Sequence, residues 1–143
     1  MSVSASAPVA LGQQTFLAFD FGIKRTGVAT GNRLTRTASP QPTIAANNDQ
    51  RLDAIALRVK EWQPDALVVG VPFHPDGAAH ENTARAQKFA RQLRAKFSLP
   101  VFEVDERYST TEAKSLCISG AIDADAASAC IILEQFLRSL NHE

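Results

Sequence analysis

The run Ala66-Leu-Val-Val-Gly-Val71 constrains this chain more than any other stretch, because it carries no polar side chain and is rich in β-branched valine. A strand with one wet face alternates apolar and polar positions. A strand without that alternation must be covered on both faces, which places it centrally in a sheet with helices packed above and below. The composition permits such a core: 45% of the 143 residues are hydrophobic. A chain of this length buries enough surface as one domain to stand without a structural metal or disulfides.

The remaining pattern fits an α/β layered domain. Thr15-Phe-Leu-Ala-Phe-Asp20 is a short apolar run closing on a carboxylate, and Gly22, Gly27 and Gly31 bracket Thr26-Gly-Val-Ala-Thr30. Strand, turn, strand is the reading, so a hairpin opens the fold. Thr37 to Ile44 contains Pro40 and Pro42 and is therefore an edge strand or a loop. Asn47-Asn-Asp49 can cap a helix in which Leu52, Ile55, Ala56, Val59 and Trp62 recur at helical spacing, with Pro64 ending it. A second helix over Glu81 to Phe97 places Ala86, Phe89, Ala90, Leu93 and Phe97 on one stripe. Leu99-Pro100 closes it before the strand Val101-Phe-Glu-Val-Asp105. Ser109-Thr-Thr-Glu112 fits a capping box for a further helix. The last helix spans about Asp123 to Leu140, with Ile122, Ala126, Ala129, Cys130, Leu133, Phe136, Leu137 and Leu140 facing inward.

Residues 1–13, rich in Ser, Ala and Pro, read as a disordered tail outside the domain, which spans 14–143. They lack the basic start and long apolar stretch of a secretory signal. The longest near-apolar run, Ala66 to Phe73, is far short of the roughly 18 residues that cross a bilayer. Cys117 and Cys130 are too few for a disulfide scaffold or a zinc site and read as small buried hydrophobes. A cytoplasmic protein without membrane partners is expected.

The acids suggest chemistry. Asp20 ends the first strand, Asp105 and Glu106 end the last, and Asp123 and Asp125 open the final helix. Carboxyl ends of strands in an open sheet form its ligand crevice, and converging carboxylates suit Mg²⁺ or Mn²⁺. From spacing alone ordinary roles stand ahead: helix N-terminal charges for Asp123 and Asp125, a loop cap for Asp105, a surface ion pair with Arg107 for Glu106. Asp20 is the exception, since a carboxylate closing an apolar strand is costly unless it is ligated or hydrogen-bonded.

Five ordered blocks resemble one known family: Leu17-Ala-Phe-Asp-Phe-Gly-Ile-Lys-Arg-Thr-Gly-Val-Ala29, Val68-Val-Gly-Val-Pro72 with Asp76-Gly77, Thr83-Ala-Arg-Ala-Gln-Lys-Phe-Ala90, Asp105-Glu-Arg-Tyr-Ser-Thr110 with Glu112-Ala113, and Asp125-Ala-Ala-Ser-Ala-Cys-Ile-Ile-Leu-Glu134. They are similar to the YqgF (RuvX) family over about residues 15 to 138. The resemblance implies an RNase H-like fold of the RuvC type, with a central mixed five-stranded sheet flanked by helices. It also implies a metal-dependent nuclease that processes the 5′ end of pre-16S ribosomal RNA in ribosome biogenesis. Cleavage of branched DNA, in the manner of a Holliday junction resolvase, is the alternative, and a non-catalytic RNA-binding assembly adaptor is another.

Carried onto this sequence, the resemblance makes Asp20, the Asp105-Glu106 pair and Asp125 the catalytic acids. Asp20, Glu106 and Asp125 would be the ligands for Mg²⁺ or Mn²⁺. Side chains alternate along a strand, so one member of the pair faces the ions, and Glu106 is favoured because its longer arm can bend back. The connection from Glu112 to Asp125 is shorter than in many relatives and lacks their glycine- and lysine-rich stretch, which bears on substrate grip.

With 15 basic and 15 acidic residues the net charge is zero, so a nucleic-acid partner rests on local clusters. Lys24 and Arg25 sit in a Gly-flanked turn beside Asp20, where a scissile phosphate would lie, with Arg33 and Arg36 nearby. Arg107 could clamp a phosphate oxygen. Arg85, Lys88, Arg91, Arg94 and Lys96 decorate the second helix; Arg85 is the member carried as a substrate contact, although a solvated helix face explains the group as well. His74 and His80, flanking Asp76-Gly77, could act as general acid or substrate contact but are more often plain loop residues. Asp20-Phe-Gly22 with Thr26-Gly27 also resembles the first phosphate loop of actin-like ATPases, but those enzymes close two such domains around ATP. A monomer or a homodimer is compatible with all of this, and symmetric cutting of a junction would call for the dimer.

Overall fold

A computed structural model of the chain describes residues 3, 4, 14–73, 76, 78, 81–106 and 124–140. In chain order the elements are β1 (Val3–Ser4), β2 (Thr15–Phe21), β3 (Thr26–Asn32), β4 (Thr37–Ile44), α1 (Asn48–Trp62), β5 (Ala66–Val71), α2 (Glu81–Phe97), β6 (Val101–Asp105) and α3 (Ala124–Ser139). The sheet runs β1-β6-β5-β2-β3-β4. β2, β3 and β4 form an antiparallel meander, while β5 pairs parallel to both β2 and β6. The expected mixed sheet of five strands is therefore present. A sixth, the two-residue β1, lies antiparallel on the edge of β6, in a segment that the sequence assigns to a tail.

β5 is buried at every position and lies between β2 and β6, as its lack of polar residues requires. Helices cover both faces of the sheet. On one face Phe16, Ala18, Ala29, Val68, Phe102 and Val104 meet α3. Phe136 anchors that layer, its ring 5.2 Å from those of Phe16 and Phe102. On the other face Leu17, Phe19, Val28, Leu67, Val69 and Val101 meet Ile55 of α1 and Phe89, Ala90 and Leu93 of α2. Neighbouring residues of β2 thus enter opposite layers, and this parity fixes the face on which each later residue falls.

α3 is buried almost all round. Beyond the expected stripe, Ala127, Ile131, Ile132, Glu134 and Gln135 are also covered. A helix so enclosed belongs in the interior rather than on a surface. Three finer expectations differ. Asn47 stands at the N-cap of α1 in extended conformation but makes no side-chain cap bond. Trp62, expected to pack, is 38% exposed in the last turn of α1. Cys130 is buried and disulfide-bonded rather than a plain small hydrophobe. β4 is an edge strand, where Pro40 and Pro42 remove no ladder bond that the sheet interior needs. The capping-box helix, His74, His80, Arg107, Cys117 and Asp123 lie outside the described residues.

Candidate active site

The site forms where β2 ends. Phe16 and Ala18 face α3, so Asp20 does too. In the sheet Asp20 stands between two glycines, Gly27 of β3 and Gly70 of β5. Both are glycine for want of room on that face. A Cβ on Gly27 would lie 1.9 Å from the backbone oxygen of Asp125, so the first turn of α3 rests directly on β3. A Cβ on Gly70 would lie 2.3 Å from Cδ1 of Ile132 and 3.0 Å from Cγ of Glu106. Glu106, just past β6, therefore passes over β5 through the space that Gly70 leaves.

The two acids meet there. The Glu106 carboxyl donates a hydrogen bond to the Asp20 carboxylate, which also accepts one from the Ser128 hydroxyl of α3. Burial, then the nearby charge of Asp125, pushes Asp20 up to about 6. Burial, then the Asp20 charge, pushes Glu106 up to about 8. Glu106 is thus the proton carrier of the pair at neutral pH. Among the described residues neither carboxylate pairs with a cation.

Asp125 lies in the first turn of α3, and its carboxylate holds Arg25 at 2.8 Å. It is close enough to raise Asp20 but turned toward the mouth of the site. Asp105 falls with Val101 and Glu103 on the opposite face, where Glu103 takes Arg94 of α2 at 3.1 Å. Its contribution is a charge that lifts Glu106 further, and its carbonyl accepts from Gln135. Lys24 is exposed in the turn between β2 and β3. Arg85 stands across the sheet from the acids, exposed on α2, with Glu81 at 3.7 Å and Asn82 at 3.0 Å. Among the described residues no group of three metal-binding side chains is gathered. The donor chemistry nonetheless fits a hard divalent cation. Buried carboxylate oxygens that lack a positive partner are costly alone, and Mg²⁺ and Mn²⁺ favour oxygen donors.

Four residues escape the sequence reading. Gly70 had a signal, since a glycine inside a strand of valines marks close approach by another group. Gly27 stood out only as a turn marker. Ser128 was readable as the polar residue one helical turn after Asp125. Arg51 gave no signal: it looks like a solvated helix cation, yet it is 5% exposed and donates to the carbonyls of Gly22 and Ile23 at 2.6 Å each. It pins the turn that carries Lys24 and Arg25.

A mixed sheet with helices on both faces and acids at the ends of two nearby strands defines an RNase H-like fold. The chain superposes on Thermus thermophilus RuvC, solved in complex with a Holliday junction substrate, with a TM-score of 0.60 at 14% identity, covering 90% of this chain and 96% of that one. A second structure of Thermus thermophilus RuvC gives 0.58 at 12%, with the same coverage. Residues 14–139 match the family model described as "RuvX: Holliday junction resolvase". The chain belongs to the RuvX family. A protein of Polaromonas sp. (strain JS666) is 75% identical over 98% of this chain and 99% of its own length. One of Albidiferax ferrireducens is 73% identical over 92% of this chain and 83% of its own. Both carry the name "Putative pre-16S rRNA nuclease".

Proposed function

We propose that this protein is a metal-dependent endonuclease that hydrolyses nucleic-acid phosphodiesters, with the 5′ end of pre-16S ribosomal RNA as its substrate. The observation that carries the reading is the buried Asp20–Glu106 pair, assembled across β5 over Gly70 and braced by Ser128. Names borne by close relatives supply the substrate. Asp20 and Glu106, with Asp125 at the rim, would hold Mg²⁺ or Mn²⁺. Two such ions, when bound, supply Lewis-acid polarisation of the phosphate and a water activated at neutral pH.

The chain's own residues do the rest. Glu106 would hold the cation in its ionised form, and Ser128 keeps Asp20 aimed. Arg25, steadied by Asp125, and Lys24 present positive charge where the phosphate enters, and Arg107 and Arg85 extend that grip. The nuclease domain is residues 14–143, with residues 1–13 an appended segment from which Val3–Ser4 adds an edge strand to β6, acting in the cytoplasm as a monomer or homodimer. The likeness to RuvC favours branched DNA as the second substrate.

The test incubates the protein with a pre-16S 5′-leader RNA and with a four-way DNA junction in Mg²⁺, Mn²⁺ or EDTA. Cleavage of the RNA that needs the ion and disappears in Asp20→Asn supports the proposal. Cleavage that persists in EDTA or in that variant overturns it. Cutting of the junction alone moves the substrate to DNA. Binding without cutting makes the protein an assembly adaptor.

A further inference from the structure

On the face of the sheet opposite the acids, a cavity of about 220 Å³ opens where β2, α1 and α2 meet. Its apolar floor is Phe21, Ile23 and Leu52, and its cations are Arg51, Arg85 and Lys88. Ile23 is 55% exposed and presents its apolar side chain to the cavity mouth. Arg85 and Lys88 stand one helical turn apart on the outer face of α2. Arg85 touches Glu81 and Asn82 only as an exposed pair, which a phosphate can replace at little cost. Arg51 is the buried member. Its guanidinium lies 4.3 Å from the Phe21 ring centre and is met by two carbonyls, and among the described residues no carboxylate answers its charge. A buried cation answered only by dipoles leaves the cavity at positive potential.

Cations beside an exposed apolar floor suit an anion that carries a flat apolar body. We propose that this cavity binds one nucleotide of the substrate strand, its phosphate on Arg85 and Lys88 and its base against Ile23. Single strands are gripped by charge along the backbone and by packing against the base face, most often by aromatic rings, and here Ile23 offers an aliphatic surface in their place. Continuity with the acid site makes a nucleic-acid strand the occupant. Phe21 directly follows Asp20, and the turn 22–25 is shared: Arg51 holds its carbonyls from the cavity side while Arg25 meets Asp125 on the other. A strand lying at Asp20 therefore crosses this turn into the cavity. The inference rests on the nuclease reading for its ligand, but its measurement needs no cleavage.

The affinity of a short single-stranded RNA, and of DNA of the same sequence, is measured by fluorescence anisotropy in EDTA over a range of salt. Arg85→Gln with Lys88→Gln should weaken both by about tenfold and lower the salt slope by roughly 0.7, the value for the one phosphate no longer neutralised, whereas Arg91→Gln with Lys96→Gln should stay within about twofold. The control pair removes the same charge from the same helix but lies outside the cavity. Ile23→Ala should weaken binding while leaving the slope unchanged. Equal losses in the two double variants, or no loss in the first, overturn the proposal and free the cavity for another ligand, such as an acidic peptide. An Ile23→Ala protein that binds as well as the parent contradicts the base contact. If the predicted pattern holds in a protein that cuts no substrate, the nuclease reading fails and the cavity stands.

Discussion

Asp20 and Glu106 stand at the ends of strands that do not touch, separated in the sheet by β5, yet their carboxyl groups share a hydrogen bond. Like charges in hydrogen-bond contact cannot both ionise cheaply, so the fold favours the protonated form of the pair. The consequence for stability has a definite sign. Both groups titrate higher in the folded chain than when unfolded, so between the two values the folded chain binds more protons and stability falls as pH rises. The window runs from the ordinary 4.5 of a glutamate to about 8 for Glu106. Thermal melts in EDTA should show Tm falling across that window, and Glu106→Gln should flatten the fall; a Tm that rises there contradicts the pairing. Asp20 was legible because an acid closing an apolar strand stands out. The choice between Asp105 and Glu106 was also legible, though by parity rather than by arm length: Phe102 and Val104 enter the α3 layer, and 106 continues their series.

At the scale of elements, the site depends on how closely α3 approaches the sheet. Gly27, Gly31 and Gly70 all lie on the α3 face, where a Cβ would meet the helix at each. Alanine at Gly70 meets side-chain atoms of Ile132 and Glu106 rather than backbone, so Gly70→Ala should cost about 1–3 kcal/mol, the usual range for overpacking. Alanine at Gly27 meets the backbone of Asp125, which cannot shift without moving the helix, so Gly27→Ala should cost more. Urea unfolding of both variants checks the order; the reverse order would mean that α3 yields more easily than the side chains over β5. The elements themselves were largely readable, since periodicity marks α2 and the unbroken apolar run marks β5. The closeness of the layers was not. Spacing along the chain says which residues face inward, whereas the gap between helix and sheet depends on both partners at once. Trp62 and Arg51 show the same limit. Helical spacing turned Trp62 inward and gave no reading for Arg51, but the neighbouring element leaves the first partly in water and encloses the second.

Across the whole molecule, the acids lie on one side of the end of β2 and the cationic cavity on the other, joined by the turn 22–25. A net charge of zero hides this, because the cations gather where the strand would run while acids elsewhere balance them. The account depends on the carboxylates forming a cation site, and Mn²⁺ titration followed by calorimetry in buffers of differing ionisation enthalpy tests that directly. Binding near neutral pH should release protons, because Glu106 must give up its own, and should be lost in Asp20→Asn and Glu106→Gln. Absence of Mn²⁺ binding, or binding left unchanged in both variants, would contradict the account.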